Sequence, residues 1–600
     1  MNTLSDNAID ADRLRRKYRE ERDKRLRPEG NDQYIDTKDR FADYAEDPHV
    51  SPGFVREPIS ESVDVVVVGG GFSGLLSANG FLKAGVTDIR VIEKGGDFGG
   101  TWYWNRYPGC QCDVESYTYL PLIEDYGKMP TQKYAPQAEI LEHAKNLGRS
   151  LGLYDKSYFQ TGVKSIRWNA ATARWIVSTD RNDVIRARFV SLATGILHRP
   201  KLPGIPGIES FKGHSFHTSR WDYAYTHGND QGNLTGLADK RVAIIGTGAS
   251  AAQAIPHLGA SAKHLYVVQR TPAAVDAREN KPTDAGWWKS LEPGWWERRA
   301  RNFDGFLIGA PQKEDLIRDG WTTVWARMAD AARSGDSPEE QKRRRQLADY
   351  EKMEQIRGRI DSIVEDPVTA EALKPYFNWM CKRPLFVDGY FETFNRPNVT
   401  LINTGGKTLD RVTEDAIVFD GVACPVDCII YASGFDTAAP ADRCGGFDLI
   451  GADGRTLTES WKGGMRTVLG MFVHNFPNLG IINGLKQAAI TWNITFMMRK
   501  QAEHLAQVVK KCLDGGVNYF EAKPNAEDEW KATLIRKASV DEGFLRDCTP
   551  GYYNNEGRNQ LESIWLSSYG GGPFEYMDLL EEWREHRLAE DMELVPMGIR

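Results

Sequence analysis

Two stretches decide the fold: Val63–Gly74, VDVVVVGGGFSG, and Arg241–Ala251, RVAIIGTGASA. Each opens with a short, mostly apolar, β-branched run, as expected of a parallel strand buried on both faces. Each run passes at once into a small-residue turn and then into helix-forming sequence, LLSANGFLKAG after the first. Gly69, Gly71 and Gly74 fill the three positions of G-x-G-x-x-G, with Phe72 and Ser73 between them. Gly246, Gly248 and Ala251 fill them in the second turn, with Thr247, Ala249 and Ser250 between and Gln253 just beyond. Small residues there allow a tight turn, close approach of backbone to a pyrophosphate, and close helix–strand packing. The helix N-terminus adds N–H groups and positive dipole. The predicted class is α/β, with two Rossmann-like dinucleotide-binding domains.

The next strand of each unit sets the nucleotide expected. DIRVIEK carries Glu93 at the strand's end, 24 residues after Gly69. An acid there accepts hydrogen bonds from ribose hydroxyls, which suits FAD or NAD. HLYVVQRT ends at Arg270-Thr271, with Arg270 24 residues after Gly246 and no acid nearby. A cation at that point pairs with a 2′-phosphate, which points to NADP. Two such sites in one chain suggest hydride transfer from a nicotinamide to a flavin.

Bulk properties exclude several classes. The 600-residue chain is 41% hydrophobic and 26% charged, with net charge -7, so nothing general favours nucleic-acid binding. No apolar run is long enough to span a membrane, and MNTLSDNAID has neither the basic start nor the apolar core of a signal peptide. Eight cysteines lack paired C-x-x-C spacing, so free thiols, no metal site and a cytoplasmic setting are expected.

Between and beyond the glycine turns the chain divides further. Residues 1–60 form a polar arm whose charged stretch Arg13–Arg27 reads as a solvated surface helix. Residues 61–197 form the first part of the FAD-type domain. Gly99–Asp113, GGTWYWNRYPGCQCD, is a loop whose aromatics could fill a domain seam or wall a flat ligand. Prolines 200, 203 and 206 mark a stiff connector into an NADP-type domain at 198–434. Phe211–Asp222, FKGHSFHTSRWD, follows; it looks too polar for a buried strand and too short for an isolated helix. Residues 280–375 read as a helical insertion that starts with Trp-rich turns. Ala432-Ser433-Gly434 echoes Ala193-Thr194-Gly195, and from 435 to 600 the chain is expected to return to the first domain and end in a surface helix.

Phe211-x-Gly213-x-x-x-His217-x-x-x-Trp221-Asp222 resembles the fingerprint of type I Baeyer–Villiger monooxygenases, and Gly99-Gly100-x-Trp102 through Tyr107-Pro108-Gly109-x-x-x-Asp113 matches that family's second motif. Both glycine loops and both Ala-(Thr/Ser)-Gly echoes match in order, over roughly residues 60–540. The arm resembles the extension of large-ring members such as cyclopentadecanone monooxygenase. The resemblance implies FAD and NADP as cofactors, and a ketone and molecular oxygen as substrates. The ketone, cyclic and large or bulky, would become a lactone or ester through a flavin C4a-peroxide. The alternative is the related heteroatom-oxygenating branch, whose fingerprint ends differently from Trp221-Asp222. Arg383 matches the active-site arginine, and Asp113 the acid that positions it. Lys382, Arg270 and Thr271 match the 2′-phosphate site. Gly100, Thr101, Trp102, Tyr103, Trp104, Gln111, Cys112, Tyr119 and Ile494 fall on cofactor-contact positions, and Trp530 matches a tryptophan of the coenzyme-closing control loop. His217 reads as a domain-coupling residue rather than a base. Where other members carry a Gly-Pro-Gly-Ser-like loop, this chain has NGLKQAAI from Asn483.

Overall fold

A computed structural model describes residues 9–332, 337–437, 445–482, 486–538, 540, 542–558 and 563–598. Asn483 to Leu485, in the divergent loop, lie outside the described residues.

Two sheets organise the chain. The first has eight strands in the order Asp448–Ile450, Val163–Asn169, Arg174–Thr179, Val184–Leu192, Ser60–Val68, Ile89–Ile92 and Ser157–Tyr158, with Leu479–Ile481 also on Val184–Leu192. Val65, Val66 and Val67 at its centre are fully buried, as the unbroken apolar run requires. The second sheet has five parallel strands in the order Val399–Asn403, His264–Gln269, Arg241–Ile245, Cys428–Tyr431 and His214–His217. Strands Asp448–Ile450 and Leu479–Ile481 bring the chain back to the first sheet. Helix Ile494–Asp514 then packs on helix Phe72–Lys83, so closely that a side chain at Gly80 would stand 2.9 Å from the Ala502 carbonyl oxygen. The architecture is α/β with two Rossmann-like units.

One pairing explains the two Ala-x-Gly echoes. Gly69 has φ of 110°, and a Cβ there would lie 2.5 Å from the Ala193 carbonyl oxygen. Gly246 has φ of 116°, and its Cβ would lie 2.7 Å from the Ala432 carbonyl oxygen. In each unit the strand end runs against the first glycine of the turn, so only glycine fits in either place.

Four sequence expectations are corrected. His214–His217, judged too polar for a buried strand, is a strand at the sheet edge beside Cys428–Tyr431 with its last two residues buried; an edge position needs only one paired side and tolerates polar residues. The Trp-rich turns are helical: Trp287 and Trp288 lie in helix Ala285–Lys289, and Trp295 begins helix Trp295–Leu307 after Gly294 at φ of 80°. They lead into helices Gly320–Ala332, Pro338–Ile363 and Pro367–Leu373. The chain's last described element is a strand, Met592–Pro596, paired antiparallel with Val517–Ala522, rather than a surface helix. Finally, Cys381 and Cys548 form a disulfide across 167 residues, whereas Cys110, Cys112, Cys424, Cys428 and Cys512 are free. Spacing along the chain cannot reveal a pair joined only by the tertiary fold.

Candidate active site

Both nucleotide turns leave a helix N-terminus open. Gly71 begins helix Phe72–Lys83 and Gly248 begins helix Ala249–Ser261, and neither N-terminus has a side-chain cap. The first N–H groups of each helix are therefore available to an anion. At the first turn, a Cβ on Gly100 would stand 2.7 Å from Gly71 Cα, so the second motif's glycine docks directly on the loop. A Cβ on Gly74 would stand 1.9 Å from the Gly69 carbonyl oxygen. Ser73 Oγ donates to the Ala193 carbonyl at 3.0 Å. Glu93, buried at the end of its strand, accepts from Gly70 N–H at 2.6 Å and Gly95 N–H at 2.7 Å. Burial raises its pKa, and those two N–H groups oppose the rise. This bare-backbone cradle, with a carboxylate anchored beside it, fits the pyrophosphate and ribose of a dinucleotide such as FAD.

A cavity of about 450 Å³ opens between the two units. Thr101 and Trp102 line it from the first; Thr247, Gly248, Ala249, Ser250, Arg270 and Thr271 line it from the second. Gln111, Lys382 and Arg383 complete the wall. Gln111 is fixed by Gln253, whose amide N–H donates to the Gln111 carbonyl at 2.9 Å while its oxygen accepts from Tyr107 OH at 2.9 Å. Trp102 Nε1 donates to Tyr119 OH at 3.0 Å, which sets the indole against the cavity. Thr247 Oγ1 donates to the Thr271 carbonyl at 2.7 Å, tying the turn to the strand end. Cys112 and Ala251 are buried behind this wall, and Ile494 starts the long helix Ile494–Asp514.

Arg383 is held from three sides. Its Nε donates to Asp113 Oδ2 at 2.9 Å and its Nη2 to Asp113 Oδ1 at 2.5 Å, a bidentate pair. Its guanidinium carbon lies 5.1 Å from the ring centres of both Trp321 and Trp492. Trp321 Nε1 in turn donates to the Asp113 carbonyl at 2.9 Å, so the acid and the rings form one frame. Burial opposes the charge, but Asp113 outweighs it and keeps Arg383 protonated at all accessible pH. The result is a permanent cation with a fixed direction, facing the cavity.

The fingerprint stretch lies between the parts. His217, fully buried, accepts from Ser219 N–H at 3.2 Å, and burial, with Arg220 nearby, lowers its pKa to about 3. Thr218 Oγ1 donates to Ser250 Oγ at 3.1 Å in the second nucleotide turn. Arg220 stacks 4.0 Å over Trp104 and donates to the Glu46 carbonyl at 2.8 Å. Trp221 packs against Phe216 and donates to Thr226 Oγ1 at 3.0 Å. Asp222 caps the following turn through Ala224 and Tyr225 N–H and meets His214 Nε2 at 2.9 Å. Phe211 and Gly213 are packed together at the strand's entry. This segment touches both units and the arm but does not line the cavity.

Some positions depart from expectation. Trp530, expected on a loop over the coenzyme, is buried in helix Pro524–Arg536; it stacks on Tyr569 at 5.4 Å and donates to the Gln487 carbonyl at 3.1 Å. Its helix carries a regular apolar face, so packing claims the ring. Tyr103 OH donates to Asp47 at 2.7 Å, and Trp104 lies between Arg220 and Lys94, so both face the arm and fingerprint side. Trp321, Trp492, Tyr552, Tyr553 and Glu556 are site residues that the sequence did not single out; the last three line the cavity from the segment just after Cys548. The run Cys548–Gly557, CTPGYYNNEG, with its Pro-Gly and paired tyrosines, was the available signal.

Residues 62–287 match the family model described as flavin-binding monooxygenase-like. Neopentalenolactone D synthase from Streptomyces avermitilis is 47% identical over 593 residues, covering 98% of this chain and 99% of its own. A Baeyer–Villiger monooxygenase from Streptomyces coelicolor is 43% identical, over 96% of each chain. Among solved structures, a polycyclic ketone monooxygenase from the fungus Thermothelomyces thermophila superposes with a TM-score of 0.89 at 36% identity, over 98% of this chain and 99% of that one.

Proposed function

The chain belongs to the Baeyer–Villiger monooxygenases, and on that premise we propose that it converts a cyclic, large or bulky ketone to a lactone or ester. FAD and NADP are its cofactors, and the overall balance is ketone, O2, NADPH and a proton giving ester, NADP⁺ and water. The observation that carries this reading is the Asp113-clamped Arg383 in the wall of a cavity shared by both nucleotide units.

Bound FAD, reduced by NADPH, supplies the activated oxygen; the chain's own residues do the rest. The open turn at Gly71 and the carboxylate of Glu93 suit the pyrophosphate and adenosine ribose of FAD. Arg270 and Lys382 suit the 2′-phosphate of NADPH, because both are cations on the same cavity wall. Arg383 faces the reacting carbonyl. Its charge stabilises the negative charge that develops on the carbonyl oxygen when the ketone is attacked, and it needs no proton transfer to do so. The Trp321 and Trp492 rings pack beside it and lower the local dielectric on that side, which strengthens that interaction. A large ketone is supported by the likeness to a polycyclic ketone monooxygenase.

The test is a panel of cyclic, aryl and steroid-like ketones, sulfides and amines incubated with FAD, NADPH and oxygen, with products identified by mass spectrometry. Ester or lactone products bearing one oxygen from labelled O2 are expected. Oxygen gained only by sulfides or amines would defeat the reading.

A further inference from the structure

The N-terminal arm reaches the coenzyme end of the cavity. Helix Ala11–Asp23 is anchored by buried Leu14 and Tyr18, the latter accepting from Arg357 Nη1 at 3.2 Å. It is also tied to Asp547 through Arg19 at 3.0 Å. Beyond the helix, Arg27, Gln33 and Tyr34 line the cavity. Strand Tyr34–Asp36 pairs antiparallel with Lys201–Pro203 in the connector, which fixes the arm's register there.

The arm's side chains converge on Arg270. Gln33 Oε1 accepts from Arg270 Nη1 at 2.5 Å, and Tyr34 OH accepts from Arg270 Nη2 at 3.2 Å. Arg25 Nε donates to the Arg270 carbonyl at 3.3 Å and to Thr271 Oγ1 at 3.2 Å from behind. Arg27 Nη2 donates to the Gly406 carbonyl at 3.1 Å, which holds this second guanidinium beside Arg270. Lys382, from a third direction, donates to the Pro550 carbonyl at 2.7 Å. Three acids meet this cluster: Glu556 lies 3.7 Å from Arg270 Nη2 and accepts from Tyr34 OH at 3.3 Å, Glu21 pairs with Arg25 Nη1 at 2.7 Å, and Glu29 lies near Arg27. Burial and then Arg270 lower the pKa of Arg27, whereas for Arg270 burial is outweighed by Tyr34 and Glu556, which raise it. Lys382 falls to about 8 through burial, with Glu556 opposing and Arg270, Arg25 and Lys201 adding to the fall. Five cations, Arg25, Arg27, Lys201, Arg270 and Lys382, against these three acids leave this end of the cavity net positive, which suits a dianionic ligand.

We propose that the arm is part of the coenzyme site: Arg27 contacts the 2′-phosphate of NADP(H) together with Arg270 and Lys382, while Gln33 and Tyr34 position Arg270. The inference rests on the NADP reading above and goes beyond it, because a segment outside both nucleotide folds then helps to set coenzyme preference.

The test is isothermal titration of the full-length, FAD-loaded protein with NADP⁺ and with NAD⁺. Removing a charge-assisted contact to phosphate in Arg27→Ala is expected to weaken NADP⁺ binding about tenfold to a hundredfold, with NAD⁺ affinity held within about twofold. Tyr34→Phe, a milder change that keeps the ring over Lys201, is expected to weaken NADP⁺ about threefold to tenfold and spare NAD⁺, because Arg270 loses one neutral partner. Arg27→Lys should recover part of the loss. Wild-type NADP⁺ affinity in Arg27→Ala, alongside a selective loss in Arg270→Ala, overturns the arm's role and leaves the NADP reading intact. Equal weakening of both coenzymes in Arg27→Ala also overturns it, since that marks a purely structural contact. A wild-type protein that does not prefer NADP⁺ over NAD⁺ would instead sink the NADP reading itself.

Discussion

Replacing Asp113 by alanine separates the position of Arg383 from its charge. The guanidinium stays protonated without its partner, because an arginine is so strong a base that burial alone does not neutralise it. Loss of function in Asp113→Ala would therefore report lost direction, not lost charge. Two charge-assisted bonds, at 2.9 and 2.5 Å, disappear. Each is worth about 1.5–3 kcal/mol, so the gross loss is about 3–6 kcal/mol. The side chains of Arg383 and Asp113 are 25% and 14% exposed, so water recovers part of this. The Trp321 and Trp492 contacts survive and retain about 1–2 kcal/mol of orientation. A net cost of about 2–4 kcal/mol remains, or about thirtyfold to a thousandfold in ester formation. The assay is two-part: stopped-flow reduction of the bound flavin by NADPH without oxygen, and ester formed per NADPH consumed with oxygen. Reduction should keep its wild-type rate, because Arg270 and Lys382 are untouched, while ester per NADPH collapses. Asp113→Asn, which keeps one acceptor oxygen, should fall between. An Asp113→Ala enzyme that couples NADPH to ester as well as the wild type would refute the placement of Arg383 at the reacting carbonyl.

Three further outcomes follow from the geometry. Lys382, lowered by burial to about 8, carries its charge below that pH and loses it above. Its attraction for a 2′-phosphate should fall as pH rises through about 8, so the ratio of NADP⁺ to NAD⁺ affinity should drop between about pH 7 and 9.5. Calorimetry should show a flat ratio in Lys382→Met, and an equally flat wild type would remove Lys382 from the phosphate site. The Cys381–Cys548 bridge closes a 167-residue separation and ties the Lys382-Arg383 turn to the segment carrying Tyr552, Tyr553 and Glu556. Cys548→Ser should cost about 2–5 kcal/mol in urea unfolding; absence of the linked peptide from a non-reduced digest would disprove the bridge. Asp222 caps a turn and pairs with His214 away from the cavity, so Asp222→Ala should cost about 1 kcal/mol of stability and leave ketone chemistry intact. A switch to sulfide oxidation in that variant would show that Asp222 acts on the reaction and not on the fold.

The two nucleotide turns were legible because their requirement is local: strand, tight turn and helix follow within a dozen residues. Lys382-Arg383 was not legible in that way. On the bare sequence it is an ordinary basic pair, and its meaning comes from Asp113, which belongs to the other nucleotide unit. Family resemblance supplied that link before the geometry could. Trp492 and Trp321 show the limit of resemblance: each is one tryptophan among 17, and only the fold stacks them, 5.7 Å apart, against one guanidinium. The arm misleads for the opposite reason. Its mixed charges satisfy the pattern of a solvated helix, and Ala11–Asp23 is one, yet the residues after that helix are drawn inward by an antiparallel pairing that no local pattern encodes. Charge runs record how well a segment tolerates water; they do not record what its end reaches. Here the end reaches Arg270, so the polar prelude to the first strand becomes a wall of the site that the sequence had assigned to Arg270, Thr271 and Lys382.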